Sequence, residues 1–240
     1  MQHYCKTIGA LAAASALVAG TASAEVEYEI HTGYSTMYLF RGIDLGDNLT
    51  EFGVDAASEW NGFGLSAGVW SGVFGNTGTG NDVDMETDLY AEASYDVGFT
   101  TLSAGYIYYW NLGSLGVDDQ EVYFGTNNDF GWASLSFTYF WDVVENNGGN
   151  NGYSELTLSE SWELNPCVNF NLATTLGMHL EDFMAVPHWT TKASLDWGFT
   201  ENAKLSPFVA VSIALDEDAR TAWADTENEY VIGTMLSASF

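Results

Sequence analysis

Basic residues are scarce: five Lys and Arg stand against 33 Asp and Glu in 240 residues, for a formal net charge of −28. Nucleic acid is thereby excluded as a partner, because phosphate binding draws on Lys and Arg that this chain does not have. Proline occurs three times and cysteine twice, so neither Pro-rich linkers nor a disulfide framework organises the fold. Beyond the first two dozen residues no apolar run approaches the ~20 residues of a transmembrane helix. If the mature chain lies in a membrane, it must cross as a closed barrel, in which every backbone polar group finds a partner on a neighbouring strand. Aromatic side chains, by contrast, are plentiful at 15%, which separates this acidic chain from disordered acidic tails.

Residues 1–24 read as a cleaved secretory leader. Lys6 gives a positive start, residues 8–20 are apolar and Ala-rich, and Ala22-Ser23-Ala24 supplies the small residues of a cleavage site before Glu25. A membrane anchor is the alternative, but the apolar run is too short to span and lacks stop-transfer charges. Cleavage leaves 25–240 as one domain that keeps all 33 acids and four of the five bases, hence a formal charge of −29. Cys167 is then the one cysteine of the mature chain, which is compatible with an oxidising compartment without demonstrating it.

Polarity alternates with period two along the mature chain, the mark of strands with two unlike faces. Val168, Phe170, Leu172, Thr174, Leu176, Met178 and Leu180 interleave with Asn169, Asn171, Ala173, Thr175, Gly177 and His179. A soluble sandwich seldom holds one polarity over seven positions of a strand. Segments of this kind fall at 26–39, 50–60, 63–73, 86–96, 99–110, 120–127, 131–141, 153–163, 168–180, 189–197, 205–215 and 229–240, which makes twelve, an even number as single-chain bacterial barrels have. Tight turns, among them Asn61-Gly62 and Asn165-Pro166, alternate with long polar connections at 40–49, 74–85, 111–119, 142–152, 181–188 and 216–228. Short periplasmic turns alternating with longer outer loops are what a barrel with both termini periplasmic produces. Trp and Tyr gather near the strand ends: Trp60, Tyr95, Trp162 and Trp197 beside the turns, and Tyr108, Trp110, Trp141 and Trp189 beside the loops. Such belts suit the two membrane–water interfaces. Pro207 removes a ladder hydrogen bond and is expected near the first residue of its strand. The chain ends on Phe240 with apolar residues at every second position before it, like the signal by which barrel-assembly machinery takes up its clients. The fold expected is an all-β, transmembrane, antiparallel up-and-down β-barrel, surrounded by outer-membrane lipids and lipopolysaccharide.

The run Gly33-Tyr34-Ser35-Thr36-Met37-Tyr38-Leu39-Phe40-Arg41-Gly42-Ile43-Asp44-Leu45 resembles the opening of the TorF-like family of bacterial outer-membrane porins, whose first strand leads into a Phe-Arg-Gly turn. Gly68-Val69-Trp70-Ser71 is similar to the same family, and the resemblance covers about the first third of the mature chain. It implies a porin-like barrel and carries no catalytic residues.

Strand parity assigns the charges. With Val26, Tyr28 and Ile30 outward, Glu27, Glu29 and His31 point inward, and so do Glu51, Asp55, Glu59, Glu86, Asp88, Glu92, Glu121, Glu155, Asp196 and Glu229. A charge on the lipid face is costly near the midplane, by about 2–4 kcal/mol for a base and less for an acid, so the inward choice follows. Lys192 shares the interior, and Arg41 is expected at its rim. Twelve strands give a backbone diameter of roughly 24 Å and a lumen of about 10 Å, enough for small solutes or ions. The function expected is passive diffusion of small solutes with a preference for cations. A plugged, purely structural barrel is one alternative and a barrel enzyme another. The histidines available as bases are His31 and His179, both inward, and His188 in a loop, and none stands beside a nucleophile signature. Asp82, Asp84, Glu86 and Asp88, or Asp216-Glu217-Asp218, offer oxygen ligands without the spacing of an EF-hand loop, so no metal and no cofactor is expected.

Overall fold

The computed structural model describes residues 25–75, 83–112, 118–143, 152–180, 185–216 and 227–240. The expected leader, residues 144–151 of the connection expected at 142–152, and Asp82, Glu217 and Asp218 lie outside them. Twelve strands are present: β1 (Glu27–Phe40), β2 (Ile43–Trp60), β3 (Phe63–Gly75), β4 (Val83–Asp96), β5 (Thr101–Asn111), β6 (Asp119–Asp129), β7 (Ser134–Asp142), β8 (Tyr153–Asn165), β9 (Val168–His179), β10 (Ala185–Gly198), β11 (Ala203–Ala214) and β12 (Glu229–Ser239). Each pairs antiparallel with its sequence neighbours, and β1 pairs with β12, so the sheet closes into a barrel without edges.

The closing seam runs from Glu29↔Ser239 to Ser35↔Gly233. Phe240 extends it: its N–H donates to the Tyr28 carbonyl at 2.9 Å, and its own carbonyl accepts from the Tyr28 N–H at 3.2 Å. Deleting Phe240 removes both bonds from the one ladder that joins the two ends of the chain. Assembly yield in outer membranes is expected to fall well below that of Phe130→Ala, whose exposed ring sits at a turn. Equal yields would discard Phe240 as an assembly determinant. Closure also implies that unboiled protein migrates anomalously on a denaturing gel and shifts on heating; identical mobility before and after boiling would contradict a stable closed wall.

Alternation is carried through the whole wall. Tyr28, Ile30 and Tyr34 on β1, and Leu156, Leu158, Trp162 and Leu164 on β8, stand exposed on the outside. Outside the β1–β2 tip, the outward face of the described strands carries a single carboxylate, Glu160. Its neighbour Ser159 pairs with Ser134, the first residue of β7, so it lies at the level of the β6–β7 turn rather than mid-wall. Aromatic pairs mark the turn end, with Phe63–Tyr95 centroids 4.9 Å apart and Trp162 stacked on Phe170 at 5.4 Å. Tyr139–Trp141 lies toward the other end, which carries the longer connections. Pro207 is the fifth residue of β11, opposite Thr234, further into its strand than expected.

One expected loop is not a loop. The segment 40–49, rich in Gly, Asp and Asn, continues both strands: β1 runs to Phe40, β2 starts at Ile43, and they still pair at Phe40↔Ile43. The joint is the two-residue turn Arg41-Gly42, with φ of 50° and 81°. This is the twist-matched hairpin geometry of Asn61-Gly62, where φ is 51° and 81°.

Candidate functional site: a finger across an acidic interior

Ladder registers show where the β1–β2 tip goes. Pairing of β1 with β12 ends at Ser35↔Gly233, and pairing of β2 with β3 ends at Asp47↔Gly75 after a register shift. Between these limits, residues 38–46 pair only with each other. The tip leaves the wall and turns inward. Its foot is an apolar cluster of Tyr38, Leu49 and Phe74, with Phe40, Leu45 and Trp70 packed against it.

Its far end reaches the opposite side. The Arg41 guanidinium forms a two-pronged ion pair with Glu121 on β6: Nη1 donates to Oε1 and Nη2 to Oε2, each at 2.7 Å. It lies over the rings of Phe140 on β7 and Tyr153 on β8, at 4.3 and 4.5 Å from their centroids, and over Phe40 at 4.8 Å. Gly42 faces His188 on β10 so closely that a Cβ there would come within 2.5 Å of the imidazole Cγ. Since β7 is six strands from β1 in either direction, the tip spans the barrel. The lengths agree: five residues per arm at about 3.3 Å each give ~17 Å, and an Arg side chain covers much of the remaining distance across a ~24 Å barrel. Arg41, expected at the rim, is therefore carried into the interior, its side chain 4% exposed against 0% for Glu121.

The carboxylates assigned by parity face inward, and five of them are held by phenols. Tyr38 donates to Glu86 (2.5 Å), Tyr90 to Asp55, Tyr109 to Glu121 (2.8 Å), Tyr123 to Glu92 (3.0 Å) and Tyr153 to Glu155 (2.9 Å). Trp70 Nε1 donates to Glu51 at 2.6 Å. Neutral donors fix the orientation of a carboxylate without cancelling its charge. Cations are few: His31 Nδ1 lies 3.2 Å from Asp55, Lys204 Nζ lies 3.8 Å from Asp196, and Lys192 covers the Phe208 ring at 4.2 Å. Ser239 donates to Glu29 at 3.1 Å. Asp88 keeps one oxygen, Oδ1, buried without a hydrogen bond. Glu229 stands at the start of β12, near the loop end, and Glu27 and Glu59 stand exposed near the turn end.

The interior thus has two zones. Around the finger Glu86, Glu121, Asp142, His179 and His188 are buried. Toward the turn end Glu27, Glu29, Glu59 and Glu92 remain half-buried or exposed. His188 is in β10, not in a loop, since that strand begins at Ala185 and shifts register around Pro187. It joins a hydrogen-bonded chain through Thr190 (2.9 Å) to Ser212 and through Tyr153 (2.8 Å) to Glu155. These hydroxyls are packed inside the barrel, where the chain braces the cage around Arg41. Parity applied to longer strands also brings in Asp119 and Asp142, which fell in expected connections at 111–119 and 142–152, and Lys204, which lies just before the strand expected at 205–215.

No protein-family model and no curated relative matches the chain. Solved structures do match in fold. An outer-membrane channel of Pseudomonas putida F1 aligns with a TM-score of 0.58 at 11% identity, over 95% of this chain and 99% of the other. The KdgM porin aligns with a TM-score of 0.54 at 12% identity, over 88% and 99%. The NanC porin gives 0.54 at 12%, over 88% and 98%. The chain has the fold of these outer-membrane barrels, a closed antiparallel wall of twelve strands.

Proposed function

We propose that the protein is an outer-membrane porin: a passive channel for small solutes that prefers cations, exported behind the leader 1–24. Both termini and the short turns face the periplasm, and the mature chain is taken up by barrel-assembly machinery through Phe240. The resemblance of the Phe-Arg-Gly segment to TorF-like porins and the fold shared with known porins support the reading. One observation carries it. Acids without matching bases face the interior of a closed wall, and those of the turn-end half stay accessible to water. A low-dielectric wall around unpaired carboxylates concentrates cations and repels anions.

The finger narrows the path to the spaces beside it, so the unit conductance is that of a constricted pore. Purified protein in planar bilayers tests the proposal. Discrete current steps with a reversal potential favouring K⁺ are expected in a salt gradient. A preparation that inserts as a closed barrel and never conducts would leave a structural barrel in place of a channel.

A further inference from the structure

The surroundings of Arg41 are those of a receptor site for a flat organic cation. Phe140 and Tyr153 present ring faces within 4.5 Å of the guanidinium carbon, where a cation is held by the ring quadrupole. Glu121 supplies two parallel acceptors at 2.7 Å, the fork that matches two N–H groups of a guanidinium and not an ammonium point charge. Tyr109 also donates to Glu121, at 2.8 Å to the Oε2 that accepts from Arg41 Nη2. These four residues belong to β5–β8, on the wall, and not to the finger. The finger contributes Arg41 and Phe40, whose ring meets Tyr109 edge-on at 6.1 Å, and Gly42 approaches His188.

We propose that the cage of Glu121, Tyr109, Phe140 and Tyr153 is the recognition site of the channel for guanidinium-bearing solutes, and that Arg41 occupies it at rest as an internal substitute. A solute that takes the cage releases the finger tip, so the solute that is recognised also widens its own path. This deepens the porin reading and rests on it for the word solute; the existence of the site does not.

Chemical rescue separates the two. Arg41→Gly empties the cage and keeps the turn, because glycine readily adopts the φ of 50° found there. The temperature of the gel-mobility shift is measured for detergent-folded wild type and Arg41→Gly in guanidinium chloride at ~50 mM, with NaCl and tetramethylammonium chloride at the same ionic strength. The wild type is expected to be unchanged or slightly lowered by guanidinium. Arg41→Gly is expected to rise by about 3 °C in guanidinium over NaCl, by ligand linkage, and less in tetramethylammonium, which fits the rings but not the fork. Arg41→Gly/Glu121→Gln is expected to lose the rise. Guanidinium lowering Arg41→Gly as it lowers the wild type, or raising it equally with Glu121→Gln present, overturns the site. In parallel, L-argininamide added to wild-type channels is expected to raise the current in proportion to concentration, with lysinamide inert. Equal responses to the two would overturn guanidinium recognition. Rescue without any conductance would overturn the channel and leave the site standing; conductance without rescue would do the reverse.

Discussion

Arg41→Gly is expected to raise the unit conductance at least about twofold, because a two-stranded ribbon with its side chains occupies most of a ~10 Å lumen. The pair it breaks is buried: leaving Glu121 alone among Phe140, Tyr109 and Tyr153 costs about 3–5 kcal/mol if nothing moves. Water reaching Glu121 relieves that cost, and water enters only if the tip shifts. The open state is therefore expected to be noisier as well as larger. Glu121→Gln keeps one acceptor for Arg41 and is expected to fall between the two. The measurement is single-channel current in molar KCl, with heat-modifiable mobility as the control for an intact barrel. Unchanged conductance in Arg41→Gly with the barrel intact would mean that the finger does not set the path.

The second large effect concerns charge selectivity. In a gradient of dilute KCl the permeability ratio for K⁺ over Cl⁻ is expected to be on the order of ten. The amides Glu29→Gln, Glu59→Gln and Glu92→Gln together are expected to lower it several-fold, since these carboxylates lie in the wetter turn-end half. Glu86→Gln is expected to matter less, because Glu86 is buried against Tyr38 beside the finger. Lys192→Glu and Lys204→Glu are expected to strengthen the preference, as each replaces an inward cation. An anion-selective pore, or one indifferent to the three amides, would sink the assignment of cation preference to the inward acids.

The wall was legible in the sequence because lipid-facing and interior positions must differ at every second residue. That constraint holds wherever a strand has two unlike sides, and it located all twelve strands. It lapses for the finger. Residues 38–46 have interior on both sides, so Asp44 and Gly46 need not alternate with apolar partners, and their composition reads as a loop. A clue was present in Tyr38-Leu39-Phe40 and Ile43, β-favouring residues on both sides of two turn residues. Arg-Gly, however, is a weaker hairpin signal than Asn-Gly, since Arg is uncommon at positive φ. Burial of Arg41 was not legible at all: it depends on Glu121, eighty positions away, meeting the tip across the barrel.

The contrast between the dry Arg41–Glu121 contact and the wetted acids nearer the turns makes ionic strength a tool that separates two properties of one pore. Dissolved ions shorten the reach of water-facing charges, from about 30 Å at 0.01 M to about 3 Å at 1 M, yet hardly touch a pair that water does not reach. Raising the salt should therefore erase the discrimination between K⁺ and Cl⁻ while the finger stays docked. Recordings in concentrated electrolyte report its mechanical obstruction alone, and the difference on dilution is the contribution of the acids.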